Sequence, residues 1–415
     1  MPSDYKQIIK FPMASKQISG DLARKSQRSK WTVIGLGVSA MFMMVYIYLL
    51  APLSNEISNE LSILPSLQIL IIPSIVIPIG ISCFFKSNPS KPFNPRSLML
   101  RTLATLTVLS ILTAICKSAL IFFLIRITFG LLLGKLLPGS LKLIVSQFDP
   151  EKRAQPVLTI IFSMATGMTF GPVLGALFYE KAGWRIEFLC LGSVCLAMLM
   201  GVIYYSRYFT GDQNSTNVLK KLKGNEPPKA WNGYYLIVLL FILINAVFHS
   251  GLFIWTGELL VKSYDLGKQH LGWMLLDFGL PGLILIVILA ALSSKSNMFK
   301  SELIGLVILL VCFGVLLFQV PLWLMLIIIT IMSVGYNMTQ PLFFGLIGRL
   351  DSRDLSESQV KAGCGVLFIG YGLGPILFGR LLLHNSIISV FFLLFLFACL
   401  AVVSLLIFKK KSLIK

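Results

Sequence analysis

The chain has 415 residues, 56% of them hydrophobic and only 13% charged, and a mean hydropathy of +0.85. A soluble domain carries about a quarter charged residues, so this composition excludes a soluble enzyme, and apolar runs of about 20 residues exclude the shorter alternation of an outer-membrane barrel. The net charge of +19 raises nucleic acid as a partner, a reading that the placement of the charges removes.

Residues 1–30 are polar and basic and predict a cytoplasmic tail, with no cleavable leader ahead of the first apolar run. Apolar windows follow at 31–53, 64–85, 98–116, 118–141, 156–178 and 186–206. The polar stretch 207–232, holding GDQNSTN and GNEPPKA, is a long internal loop that predicts a cytoplasmic connection. Six more windows occupy 233–256, 271–292, 302–320, 321–345, 361–382 and 386–408, before a basic tail at 409–415. The expectation is an all-α integral membrane protein of twelve transmembrane helices, arranged as two pseudo-symmetric six-helix bundles over 31–206 and 233–408.

Of the 36 Lys and Arg, 28 fall on the side of the N-terminus, six on the opposite side, and Arg126 and Lys135 within a span. That asymmetry predicts both termini in the cytoplasm. The basicity is then a topology signal, and no nucleic-acid partner is needed to explain it. Seven cysteines (Cys83, Cys116, Cys190, Cys195, Cys312, Cys364 and Cys399) lie scattered through apolar runs. They read as packing residues, neither a disulfide framework nor a metal site, and no cofactor is expected.

Two stretches repeat. Gly167-Met-Thr-Phe-Gly171-Pro172-Val-Leu-Gly175 lies in the fifth window, and Gly370-Tyr-Gly-Leu-Gly374-Pro375-Ile-Leu-Phe-Gly379 in the eleventh, with the Gly-Pro pairs 203 residues apart. The same offset carries the start of window one to within one residue of the start of window seven, which indicates a duplicated unit of the kind that builds many secondary transporters. Glycines four apart let a neighbouring helix approach closely, and each proline permits a bend. The pair suits either a conformational seam between moving parts or a static packing face.

Arg126 stands about eight residues into the fourth window, where an unpaired Arg costs at least ~2.5 kcal/mol. It belongs either to a substrate or proton path or to a set of backbone carbonyls that it braces. Asp277 is the carboxylate well inside a span, which suits a group that takes up and releases a proton; the alternative is a structural Asp beside Pro281. An Arg126–Asp277 ion pair across a cavity is geometrically possible. His249 can relay protons or be an ordinary hydrogen-bonded histidine, and Glu258 reads as interfacial. Asn245, Tyr336, Asn337, Gln340 and Tyr371 either line a cavity or join helices by hydrogen bonds. No HExxH, P-loop or Ser/His/Asp set is present, so an enzyme has no support.

Arg126 with Gly130, then Asp149-Pro-Glu-Lys-Arg153-Ala, then the glycines through Gly175, then Gly183-Trp184-Arg185 with Phe188, resemble in order and spacing the motifs of the major facilitator superfamily. The Gly167–Gly175 stretch is similar to the fifth-helix motif of its drug/proton antiporter branch. Two departures stand out. Phe85–Arg96 lacks the Asp and Gly of the usual gating loop, and Thr32–Leu53 lacks the first-helix carboxylate of many multidrug members. The resemblance implies alternating-access transport of an organic small molecule, proton-coupled and directed outward, by a monomer in the plasma (cell inner) membrane. Arg126, Asp277, His249, Glu258, Asn337 and Gln340 would line the path, and Gly167, Gly171, Pro172, Gly175, Gly370, Gly374 and Pro375 would form the moving seam. Alternatives are an importer of a polar nutrient and a non-transporting sensor or scaffold.

Overall fold

The computed structural model describes residues 12–85, 94–149, 152–205, 233–264, 266, 271–292, 298–318, 320–339 and 357–384, with 395–396, 398–399 and 402. Every regular element among them is helical. On the N-terminal side of the central stretch these are α1 (Pro12–Tyr48), α2 (Leu50–Glu60), α3 (Pro65–Gln68), α4 (Pro73–Cys83), α5 (Pro95–Ile115), α6 (Ala119–Leu133), α7 (Leu136–Gln147), α8 (Ala154–Ala182) and α9 (Trp184–Tyr204). Beyond it come α10 (Gly233–Tyr264), α11 (Leu271–Leu292), α12 (Met298–Val315), α13 (Leu322–Met338) and α14 (Glu357–His384). The central loop 207–232, residues 340–356 and most of the expected span 386–408 lie outside the described residues.

Among the described residues, seven helices are long and apolar enough to cross a membrane, and four shorter apolar ones accompany them. Large apolar side chains stand exposed along α5, α6 and α9, among them Ile115, Leu120, Leu132 and Met200. Apolar faces of that extent fit a hydrocarbon surround rather than water.

The helices depart from the expected windows in physically readable ways. The first helix already begins at Pro12, so much of the expected basic tail is helical and continuous with the first span. Three windows are interrupted rather than straight: at Leu49, over residues 69–72, and at Gly134–Lys135. Each interruption lies within four residues before a proline, Pro52, Pro73 and Pro138. A proline has no N–H to give the carbonyl four residues back and crowds that carbonyl as well. At the third break the orphaned Gly134 carbonyl instead accepts from the Cys83 thiol of α4, at 3.1 Å.

The packing pattern recurs on the two sides of the central stretch. On the first side α8 lies along α1, and α6 along α4; on the second, α14 lies along α10, and α13 along α11. The two groups meet where α4 packs on α14 and α8 on α11. Small residues make these crossings close. A Cβ on Gly80 would fall 2.8 Å from the Gly365 carbonyl oxygen, and one on Gly279 would fall 2.6 Å from Thr169 Oγ1.

Candidate functional site

The duplicated glycines face inward within each group. A Cβ on Gly167 would lie 2.2 Å from the Met41 carbonyl of α1, and one on Gly175 would lie 2.5 Å from that of Leu49. In the second group, a Cβ on Gly374 would lie 2.3 Å from the Val247 carbonyl of α10, and one on Gly370 would lie 2.6 Å from Ala246 Cβ. Gly167, Gly175, Gly370 and Gly374 therefore fasten α8 to α1 and α14 to α10, while Gly372 of the same stretch faces α4 of the other group, where its Cβ would lie 2.3 Å from Ile77 Cγ1. Pro172 and Pro375 both sit inside continuous helices.

Pro375 leaves the Tyr371 carbonyl without its helical donor, and Ser250 Oγ of α10 donates to that carbonyl instead. Ser250 is wholly buried, so Ser250→Ala strands a buried acceptor, at a cost of about 1–3 kcal/mol. Restoring an N–H by Pro375→Ala should recover most of that loss. A double-mutant cycle of melting temperatures checks the coupling, and additive effects would contradict it.

Arg126 is fully buried in α6. Its Nε donates to the Ile71 carbonyl at 3.0 Å and to Ser74 Oγ at 2.8 Å, bracing the interrupted start of α4. Nη1 reaches the Tyr46 hydroxyl at 3.4 Å, which is itself bonded to Thr113 Oγ1 at 2.7 Å. Nη2 is buried with no partner. The guanidinium also lies 5.3 Å from the Phe122 ring centre and 5.7 Å from that of Tyr46. It thus braces backbone and keeps one donor in reserve.

Asp277, in α11, takes its bond from Thr330 Oγ1 of α13 at 3.3 Å, and its other oxygen is buried without a partner. Asp277 and Arg126 form no ion pair with each other. Each is held by its own group of helices.

His249 lies where both groups converge. Its ring is 5.4 Å from Tyr336 of α13, 5.9 Å from Tyr371 of α14 and 6.3 Å from Phe278 of α11. Phe253, one turn along α10, packs on Phe278 and takes the edge of Tyr48 from α1, with ring centres 5.4 Å apart. Inside this aromatic cluster His249 Nδ1 and the Tyr336 hydroxyl are buried with no hydrogen-bond partner. A lone buried polar atom costs about 1–3 kcal/mol, and each such exception calls for an explanation, of which a reacting or ligand-binding role is one.

Asn337 donates to Ser333 of its own helix at 2.9 Å and packs against Gly282, where a Cβ would come within 1.9 Å of its Nδ2. Asn245 joins α10 to Thr339 Oγ1 at 2.5 Å. Gln340 and the Glu258 side chain lie outside the described residues. Among the described residues, no group of three His, Cys, Asp or Glu is placed to hold a metal ion.

One residue escaped the sequence reading. Glu187, in the first turn of α9, is 5% exposed, and neither carboxylate oxygen has a partner. It stands next to Arg185 at the edge of a window, where a carboxylate reads as interfacial. The signal was the helical face it shares with Phe188, Leu191, Gly192 and Cys195, all buried.

No curated protein matches by sequence. The solved structure of the human organic anion transporter MFSD10 (TETRAN) is 15% identical, with a TM-score of 0.64 over 91% of this chain and 99% of that one. At that identity the likeness is one of fold. The family model of the Major Facilitator Superfamily matches residues 32–362. With four-fifths of its length under that model, the chain belongs to the major facilitator superfamily.

Proposed function

We propose that this chain is a secondary active transporter that moves an organic small molecule across the membrane by alternating access, as a proton-coupled exporter. The observation that supports this reading most is the aromatic cluster around His249. It is built by α10, α11, α13 and α14 from one group and by Tyr48 from the other. Its unpartnered His249 Nδ1 and Tyr336 hydroxyl are the groups to receive a flat, partly polar substrate. A site that both groups complete is one that a rocking motion of the groups opens to either side in turn.

Asp277 is the coupling carboxyl in this reading, with one oxygen held by Thr330 and the other free to carry a proton. Arg126 and its bonded Tyr46 supply the fixed positive charge of the path. The chain acts as a monomer of twelve spans with both termini in the cytoplasm of the cell that bears it, in the plasma (cell inner) membrane. The outward direction rests on the likeness of Gly167–Gly175 to the antiporter motif.

The test is reconstitution in liposomes loaded with a pH-sensitive dye, with a panel of organic cations, anions and neutral metabolites added under an imposed pH gradient. Proton movement triggered by a panel member, lost in Asp277→Asn and weakened at least tenfold in His249→Gln, is the expected result. Uptake without proton movement would make the protein a facilitator or sodium-coupled importer, and Asp277 would lose its role.

A further inference from the structure

Glu187 has no part in the proposed path, yet among the described residues it is a deeply buried carboxyl, at 5% exposure. Both of its oxygens lack a partner. An ionised carboxylate in that position would be desolvated with nothing to offset the loss, a far larger penalty than an exposed group pays. The macrodipole of α9 favours an anion in its first turn, but by only a small part of that penalty. A neutral carboxylic acid resolves the conflict, and a proton, unlike an organic ligand, needs no cavity.

Among the described residues, no charged group bonds the acid; Arg185, two residues before it, is engaged elsewhere, and Lys117 beyond α5 is exposed. On α5, the helix that packs most closely on α9, the buried polar residues are Thr102, Thr107, Ser110 and Thr113, and the charges Arg96 and Arg101 lie toward its start. Ser110 Oγ is itself buried and unpartnered, and it lies on the same seam, since a Cβ on Gly192 would be 3.2 Å from Ser110 Cβ. From α1 comes Tyr46, which is engaged by Thr113 and Arg126. On α8, Glu180 and Lys181 have side chains outside the described residues.

At the surface, Glu60 and Arg185 satisfy each other at 2.8 Å. Arg185 also donates to the Ala114 and Cys116 carbonyls at 2.6 and 2.7 Å, and Trp184 Nε1 donates to Glu60. This clamp ties α2, α5 and α9 together within one turn of Glu187, and it closes that end of the seam. Phe188, the next residue, lies 5.3 Å from Tyr46 ring to ring, so a shift of α9 reaches the Arg126 unit directly.

We propose that Glu187 is a second proton-binding site, loaded while α9 is closed on α5 and unloaded when that end of the seam opens to water. On unloading, the O–H bond breaks heterolytically, water takes the proton, and the hydrated carboxylate remains. This goes beyond the coupling role given to Asp277 and does not depend on which substrate is carried.

The test is infrared difference spectroscopy of the full-length protein in nanodiscs, following the C=O stretch of protonated carboxyls as pH is varied, with no substrate added. A protonated band near neutral pH that disappears in Glu187→Gln and survives in Asp277→Asn is expected. In Arg185→Ala, which opens the clamp without touching the acid, the midpoint of that band should fall by at least one pH unit, a tenfold weaker hold on the proton. A spectrum that loses no protonated component in Glu187→Gln, or a midpoint indifferent to the clamp, overturns the proposal. A band that vanishes only in Asp277→Asn overturns it as well, while leaving the coupling role of Asp277 standing.

Discussion

Arg126→Ala is expected to abolish transport and to lower stability by about 2–4 kcal/mol, in the range of large-to-small core substitutions. The hydrogen bonds are not the main reason. Ile71 and Ser74 keep each other, the Ser74 hydroxyl donating to the Ile71 carbonyl at 2.7 Å, and Tyr46 keeps Thr113, so all three acceptors survive the loss of the guanidinium with a partner. What vanishes is the volume between Phe122 and Tyr46 and the brace across the interrupted start of α4. Removing the charge also relieves its desolvation, which sets an upper limit on the destabilisation.

Arg126→Met separates the two roles. An unbranched apolar chain fills the space, so its melting temperature should approach that of the wild type while transport stays absent. Arg126→Lys should do worse than its charge suggests, because one ammonium cannot serve Ile71, Ser74 and Tyr46 in the directions that a planar guanidinium reaches. Melting curves in detergent and flux in liposomes check all three. Wild-type flux in Arg126→Met would reduce Arg126 to a structural brace.

The contrast between Arg126 and His249 shows what the sequence can reveal. An Arg inside an apolar window announces its cost without any structure. Its partners Tyr46, Ile71 and Ser74 come from 52 to 80 residues away, and no local pattern points to them. Length and hydropathy place the helices, because the thickness of hydrocarbon sets a length that composition reveals directly. The interruptions at Leu49, 69–72 and Gly134 were latent in Pro52, Pro73 and Pro138. Hydropathy averages over twenty residues, however, and a single missing N–H does not register in it.

The aromatic cluster lies further from view. His249, Phe278, Tyr336 and Tyr371 are each unremarkable in a membrane helix, where aromatic and polar residues have many uses. Only the convergence of α10, α11, α13 and α14 turns them into one surface. Glu187 was hidden differently, since its neighbours in sequence suggest an interface and its neighbours in space exclude water.

Glycine substitutions should divide into two kinds, according to which helices they force apart. Within a group, Gly167→Ala drives a methyl to 2.2 Å from the Met41 carbonyl, and Gly374→Ala drives one to 2.3 Å from that of Val247. Backbone cannot rotate away as a side chain can, so α8 must retreat from α1, or α14 from α10. Overpacking of this kind costs about 1–3 kcal/mol, and both variants should melt at clearly lower temperature. Gly171→Ala, with its nearest atom at 3.1 Å, needs only a few tenths of an ångström and should lie close to the wild type.

Between the groups the consequence differs. Gly80→Ala brings a methyl to 2.8 Å from the Gly365 carbonyl, and the strain is relieved by parting α4 from α14, a motion that alternating access requires in any case. Under the proposed alternating access the folded state need not loosen; its equilibrium shifts toward the separated arrangement, by as much as the clash disfavours the closed one. Cys364, buried beside Gly365 in α14, reports the outcome. With Cys364 as the single cysteine, its maleimide labelling rate should rise severalfold in Gly80→Ala and stay unchanged in Gly171→Ala, with melting temperature little altered in either. Equal labelling in the two variants would mean that α4 and α14 do not part, and the motion would have to run through the contact of α8 with α11 instead.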